Sequence, residues 1–470
     1  MRKPSEITKT VPRGKLIRIC ALAFTLVLIL TAFSCTSAKI QYGDVDQDLT
    51  EDELNIKGTV VLTVVQTSNE AESMSAKGVV NAFNNRYPGA RAIYEEGRRE
   101  AFAARISAGD IGDVFWVDPI DANNYQQNHN ALMPLDSYLK PLNIDVGDVY
   151  SGVLDVGKIR GRLYMVPRNV GGQVLIYNKG MLESAGIDFD NSVACPWDDF
   201  KSICKQLTII EDGQVQQAGV ALKIWWEPIW QMFFRGFGGE WIDSKEHKVS
   251  IVSSNEVMTG VNEIIAGIQE GWLYPEDMTS MISSIKYAIP DGDSDISRVC
   301  FKSFGAMAWL TSYGLMYDRL EIDWDFCTYP AFPTQNISVG ATGYVVYNRT
   351  KNPDTAAALA LFFMTHEGQV AYHSQTGSDV PVIKSLAEDD LWKGKGTDWE
   401  DKNYGAFVAY MDKTKPANPC IMAPFEVADV FSNDSMMGAL ARIINGAADA
   451  QTVFAQLETK ANQKWETALS

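Results

Sequence analysis

The sequence predicts an α/β chain of two lobes, and three observations carry that prediction. Runs of β-branched residues alternate with segments of helical period, which is how a sheet covered by helices on both faces reads. The length of 470 residues is too great for one ordinary core. Between Gly161 and Asp188 the chain reads GRLYMVPRNVGGQVLIYNKGMLESAGID, two apolar runs on either side of RNVGG. That stretch is too rich in Pro and Gly for one element and too apolar for a surface linker. Pro167 fixes one side of the joint and Gly171-Gly172 free the backbone, so the chain is expected to cross between lobes here.

The folded part is expected to open with Gly58–Thr67, GTVVLTVVQT, a buried strand. SNEAES places Ser and Asn to cap a helix that SAKGVVNAFNNRYPG continues. RAIYEEG reads as a second strand, FAARISAGD as a short helix, and DVFWVD (Asp113–Asp118) as a third strand. Ligands of such sheets bind beyond the carboxyl ends of the strands, which puts Thr67–Glu72 and Trp116–Asp118 at a rim. Past the crossing, PWDDFKSICKQLT is an amphipathic helix and AGVALKI a buried strand. WWEPIWQMFFRGFGGEWID is an aromatic-dense helix ending in glycines, and GVNEIIAGIQEGW another helix. FGAMAWLTSYG reads as a strand with its following loop, and ISVGATGYVVYN as a strand. Pro353–His373 reads as one long helix, and GSDVPVIKSL as a turn before mostly helical sequence to Ser470.

The first eighteen residues carry six basic side chains and one acid, and fifteen uncharged residues, ICALAFTLVLILTAF, follow. A spanning helix needs about 20 apolar residues, so this pattern is read as an export signal over residues 1–34. Ala32-Phe33-Ser34-Cys35 resembles the bacterial lipobox, with Ala where that pattern prefers Leu, and makes Cys35 the lipidation candidate. Residues 35–56 are polar and acidic, an expected tether. The net charge of −18 becomes −23 without residues 1–34, and no Lys/Arg block follows the first twenty residues. A nucleic-acid partner is therefore excluded. Cys195, Cys204, Cys300, Cys327 and Cys420 remain, an odd number without CxxC spacing. They are read as buried small hydrophobes rather than a disulfide framework or zinc site, with one bridged pair left open.

Several pieces, in order, resemble a known family: AGDIGDVFWVD with ALMPLDSYL, the crossing with Tyr177-Asn178-Lys179 and AGID, then PWDDF, GGEWID, GAMAW, and NPDTAAALALFFMTHEGQVAY with VPV. The family is the extracellular solute-binding proteins of carbohydrate ABC importers, of the maltose-binding-protein type, and the resemblance covers roughly residues 57–460. It implies the type II periplasmic-binding-protein fold, two lobes each made of a mixed sheet flanked by helices and hinged by several crossings. Lobe one would comprise 57–168 with 338–376, and lobe two 174–337 with 382–470. The chain would cross at Arg168–Val174, return near Ser338 and cross again near Gly377–Val382. The family implies a monomer that binds a small carbohydrate without a cofactor or metal, meets the transmembrane permease subunits of an importer, and is held outside the membrane by lipid.

Sugars present hydroxyl edges and apolar faces, so their sites pair aromatic platforms with polar partners. Trp225, Trp226 and Trp230 lie on a segment that in the family faces the ligand, and all three cannot share one helical face. Ser312 and Tyr313, after GAMAWLT, fall where the family places a stacking aromatic, while Trp309 is read as core. From lobe one come Asn69, Glu70, Glu72, Trp116 and Asp118, each with the plainer reading of a cap or a solvated charge, or burial for Trp116. Arg168 and Gln173 flank the crossing and suit a hinge as well as a site, and Tyr344 follows GATG.

An enzyme is the main rival, yet GxSxG, HExxH, Walker and zinc spacings are all missing from the sequence. PDGDSDISRVCFK imitates a calcium loop at Asp291, Asp293 and Asp295, but has Ile296 where Gly is needed and Lys302 where Glu is needed. The four histidines, His129, His247, His366 and His373, have no metal spacing. A glycosidase with two unmarked carboxylates, a binder of a non-sugar solute, and a receptor feeding a membrane sensor stay open as alternatives.

Overall fold

The alternation of buried β-branched runs with helices produces two mixed sheets. The computed structural model describes residues 50, 53–66, 70–171, 173–289, 296–304, 310–334, 337–374, 379–394, 397–416 and 422–469. The principal strands, in chain order, are β1 (Gly58–Val65), β2 (Ala90–Gly97), β3 (Val114–Val117), β4 (Met165–Pro167) and β5 (Val174–Asn178). They continue with β6 (Gln214–Leu222), β7 (Leu273–Pro275), β8 (Val299–Phe304), β9 (Trp324–Thr328) and β10 (Gly343–Val346). The first sheet has the order β2-β1-β3-β10-β4, parallel across β2, β1 and β3, with β10 antiparallel to both neighbours. The second runs β7-β6-β8-β5-β9, parallel across its first three strands and antiparallel at β5 and β9.

Each sheet backs a core of its own. Val60, Leu62 and Val64 of β1 are buried, as are Phe83 from the helix Glu70–Arg86 and Leu359 from the helix Pro353–Phe362. The second core gathers Trp197, Trp230, Trp241, Trp272 and Trp465. Cys204, Cys300 and Cys327 are buried there as free thiols, with Cys195 half-buried, and burial pushes their thiols upward. Cys35 and Cys420 lie outside the described residues.

The joint at RNVGG is a point where three segments run together. Arg168 N donates to Thr342 O at 3.3 Å, Val170 N to Val380 O at 2.9 Å, and Gly171 N to Gly340 O at 3.1 Å. The crossing, the return and the second crossing are thus hydrogen-bonded to one another.

Three local expectations are corrected. Pro353–His373 is two helices, Pro353–Phe362 and His366–His373, because Thr365 recaps the chain, its Oγ1 accepting from Gly368 N at 3.0 Å. A Cβ at Gly368 would lie 1.8 Å from Phe362 O, so only glycine allows the second helix to start this close to the first. ISVGATGYVVYN is two strands, Ile337–Val339 pairing with Thr414–Pro416 and β10 joining the first sheet. After β8 the chain carries the helix Leu310–Arg319 where a loop was expected, so amphipathic packing of LTSYGLMYDR outweighs its weak propensity. Trp309 and the calcium-loop imitation at Asp291, Asp293 and Asp295 lie outside the described residues. Among the described residues no helix is long and apolar enough to cross a membrane, and no group of His, Cys, Asp and Glu has metal-holding geometry.

Candidate functional site

The carboxyl ends of both sheets' parallel strands form two rims, and most of the residues singled out by sequence lie on them. On the first rim Asp118 follows β3 and caps the helix Pro119–Gln127, its Oδ1 accepting from Asp121 N at 3.0 Å. The Arg99 guanidinium pairs with Asp118 and, at 2.9 Å, with Asp121. Burial, then the field of Asp118, raises the Asp121 carboxyl above the ordinary range. Arg99 also lies 5.6 Å from the ring of Trp116, which is 7% exposed and whose indole N–H has no hydrogen-bond partner among the described residues.

Arg168 follows β4 and turns inward. It is 8% exposed, pairs with Glu72 at 2.9 Å, donates from Nε to Thr342 Oγ1 at 3.0 Å and meets the Tyr372 hydroxyl. Glu72, Tyr372 and Tyr344 hold its charge more firmly than burial opposes it, so its pKa is raised. Gln369 ties this arginine to the second crossing, Nε2 donating to Arg168 O at 2.9 Å while Oε1 accepts from Val382 N at 2.8 Å. Asn169 donates to Asp379 across the same strands. Tyr344, on β10, is fully buried with its ring 4.3 Å from Phe363, and its position is that of a core residue.

On the second rim Trp225, Trp226 and Glu227 follow β6. Trp225 is half-buried and its indole donates to Glu276 O at 3.0 Å; Trp226 is half-buried and precedes the helix Glu227–Gly236. Trp230, 0% exposed, instead faces the core, its ring 5.1 Å from Trp241. Three tryptophans in six residues thus split between rim and core. Glu276 and Lys302 form a pair at 2.6 Å, 6% and 3% exposed at their side chains. Tyr313 is buried, its ring 5.5 Å from Phe304 and 5.8 Å from the Lys302 ammonium, so it supports the rim from within. Gln173, just before β5, is 5% exposed, and among the described residues neither its Oε1 nor the Thr328 hydroxyl at the end of β9 has a hydrogen-bond partner.

Asn69 lies outside the described residues; Glu70 opens the helix Glu70–Arg86 and Ser312 sits in the first turn of the helix Leu310–Arg319. The helix Pro119–Gln127, which Asp118 caps, touches the helix Phe425–Ala428. Phe425 N donates to Gln127 Oε1 at 3.4 Å, and the field of Asp118 reaches Glu227. Sequence reasoning missed Glu227 and the Lys302–Glu276 pair. The signal for Glu227 was one acid inside the aromatic run WWEPIW, directly after a strand; the pair, 26 residues apart, gave none.

The model of the bacterial extracellular solute-binding proteins matches residues 67–281. No curated protein sequence matches the chain. Among solved structures the chain is similar to the sugar-binding protein MalE from Xanthomonas citri, at 14% identity, TM-score 0.69, over 87% of this chain and 98% of that one. It is similar to the cyclic alpha-maltosyl-1,6-maltose binding protein from Arthrobacter globiformis, at 16% identity, TM-score 0.68, over 87% and 100%. A third is an ABC substrate-binding protein from Listeria monocytogenes in complex with cycloalternan, at 16% identity, TM-score 0.65, over 87% and 99%. These likenesses bear out the expected two-lobed fold. Residues 67–281 carry the sequence pattern of the bacterial extracellular solute-binding proteins, and the chain has the two-lobed type II fold of that family.

Proposed function

We propose that this protein is a carbohydrate-binding component of an ABC importer, working by closure of its lobes on a sugar without chemistry. The observation that supports it best is the pair of rims at the carboxyl ends of the two sheets, one with half-buried tryptophans and one with hydrogen-bonding groups, joined where three segments pair antiparallel. Similar folds bind oligosaccharides, including cycloalternan and cyclic maltosyl-maltose. The 12 Trp and 18 Tyr in the chain also lean toward an oligosaccharide, since each ring offers a platform for a sugar face.

In this reading residues 57–168 with 338–376 make lobe one and 174–337 with 382–470 make lobe two. Trp226 and Trp225 would stack on sugar faces while Asp118 and Gln173 take hydroxyls, and Arg168 with Glu72 would serve the hinge. Closure shifts a population only as far as the sugar prefers the closed state. The signal at 1–34 and lipid on Cys35 would hold the domain on the outer face of the membrane beside its permease.

A thermal-shift panel of mono- and oligosaccharides, with amino acids, spermidine and phosphate as controls, tests the solute class. A ligand at a thousandfold excess over its Kd adds about 4 kcal/mol to the native state. For a chain this long that is a few degrees. Scattering should also show compaction at saturation. Silence from every sugar beside a response to another solute would overturn the carbohydrate reading.

A further inference from the structure

In the second sheet β6 lies between β7 and β8, parallel to both, with Leu222 beside Pro275 and Ala221 beside Lys302. The segment Lys223–Trp226 continues from its end, and three contacts bind that segment to the turn that follows β7. Glu276 N donates to Leu222 O at 3.1 Å, the Trp225 indole donates to Glu276 O at 3.0 Å, and the Lys223 ammonium lies 3.5 Å from Asp277. From the other side of β6, Lys302 reaches over to the Glu276 carboxylate at 2.6 Å, both side chains being buried. In the turn itself Met278 N donates to Pro275 O at 3.2 Å, and Asp277 has a φ of +63°. That is the left-handed region, which a turn ordinarily gives at this position to Gly or Asn. Another residue stays there only where its surroundings over-determine it, and here Lys302–Glu276 precedes it and Lys223 lies beside it. Trp226 is also half-buried, but its indole N–H has no hydrogen-bond partner among the described residues.

We propose that Glu276, Lys302 and Asp277 are positioning residues of the second rim, a buckle that fixes the edge of Trp225 and leaves this ring to meet the solute by its apolar face alone. This rests on the carbohydrate reading above and deepens it. An indole has one donor, and Trp225 has already given it to a backbone carbonyl. A sugar hydroxyl therefore finds no donor at this ring, which offers instead an area on which C–H groups stack. A solute with a carboxylate or phosphate at that place would lose its water and gain no partner from the ring. Trp226 keeps its donor, so the two neighbours divide the work: Trp225 stacks, and Trp226 both stacks and donates. A ring held in place before the solute arrives loses no further side-chain entropy on binding. The buried pair thus acts on affinity through Trp225, without touching the solute.

The test uses residues 49–470, which form one compact unit, with nitrogen-15 in the indoles; the Trp225 resonance is the one lost in Trp225→Phe. Glu276→Leu with Lys302→Met removes both buried charges together, since removing one would strand the other. Asp277→Pro forbids the left-handed turn at an exposed residue, while Asp277→Gly keeps it. Indole hydrogen exchange is followed by NMR, and binding of maltotriose, and of any sugar that responds in the panel, by calorimetry. The wild-type Trp225 indole should exchange about tenfold more slowly than that of Trp226, with or without sugar. The double variant and Asp277→Pro should each speed it about tenfold and weaken the sugar about tenfold. Both should leave unchanged the Trp197 indole, which donates to Glu263 at 3.2 Å. Asp277→Gly should match wild type in both readings. Unchanged Trp225 exchange in either disruption, or a wild-type indole as fast as that of Trp226, overturns the buckle while sugar binding stands. Faster exchange at an unchanged Kd means a ring that the sugar does not use, and overturns the positioning role. Protection lost on adding sugar to wild type means that the solute accepts from the indole, and overturns contact by the face alone. Should the double variant fail to fold, Asp277→Pro against Asp277→Gly decides. Silence from every sugar overturns the carbohydrate reading, and with it the positioning for a sugar, whatever the indoles report.

Discussion

The two rims are built from the same parts and use them in opposite ways. On the first, Arg99 and Arg168 are committed to Asp118, Asp121 and Glu72, and Arg168 is drawn inward to tie the crossing segments to the helix Glu70–Arg86. On the second, the buried pair Lys302–Glu276 lies beneath the surface while Trp226 and Glu227 stay at the edge, the acid without an ion pair among the described residues. The lesson is that a rim saturated with its own ion pairs acts as a scaffold. An unfinished rim has groups to spare for a solute, because a group already desolvated and paired gains little from a second partner.

The strongest way to break this comparison is to remove a member of the scaffold. Arg168→Met empties a buried place and leaves the half-buried Glu72 without its cation, and should cost about 3 kcal/mol, read as a lower denaturant midpoint. A loss below about 1 kcal/mol would mean that Arg168 is not structural. Next, Trp230→Ala should cost about 3–5 kcal/mol by emptying a place in the core. Trp226→Ala should cost less than about 2 kcal/mol while weakening the responding sugar at least tenfold. If Trp230→Ala moved affinity and Trp226→Ala did not, the division into rim and core would be wrong.

The regions should also answer pH with opposite signs. His373, at the end of the helix His366–His373, is held down to about 3 from the usual 6.5 by burial and then by Arg168. The unfolded chain therefore binds the extra proton first, and stability is lost as pH falls from 6.5 toward 3, by at most about 1.4 kcal/mol per pH unit. Glu227 is raised from 4.5 to about 8, so its contribution is complete below pH 4.5 and is lost as pH rises toward 8. Melting curves from pH 4 to 8 of His373→Gln and Glu227→Gln should each remove one of these slopes; matching slopes in wild type and variant would refute the corresponding assignment. The smallest effect belongs to Thr365→Ala, which should cost about 1 kcal/mol by deleting the cap that restarts the helix His366–His373.

How much was legible follows the range of the forces. β1, β2, β3 and the helix Trp197–Leu207 could be read because burial repeats with the period of the element, and the charge of the helix sides is visible residue by residue. The break at Phe363–Thr365 was hidden because the first helix is apolar almost throughout, its buried run continues through Phe363 and Met364, and the cap residue, a lone Thr, reads equally well inside a helix. ISVGATGYVVYN read as one strand because Gly340 and Thr342 do not announce that the chain leaves one sheet and joins another. In the site, Trp225 and Trp226 were legible by type, but which tryptophan faces outward depended on the rotation of one helix against Trp241. Tyr313 and Tyr344 fell at suggestive places and turned inward.

By itself the sequence determined the α/β class, the joint at RNVGG and the rim positions after the strands, because these rest on local periodicity and on backbone freedom at Pro and Gly. Which charges neutralise one another was decided only by the tertiary structure. Arg168 and Glu72 are 96 residues apart and Asp118 and Glu227 are 109 apart, and a Coulomb interaction depends on distance in space and on the enclosure around it, neither of which is written along the chain.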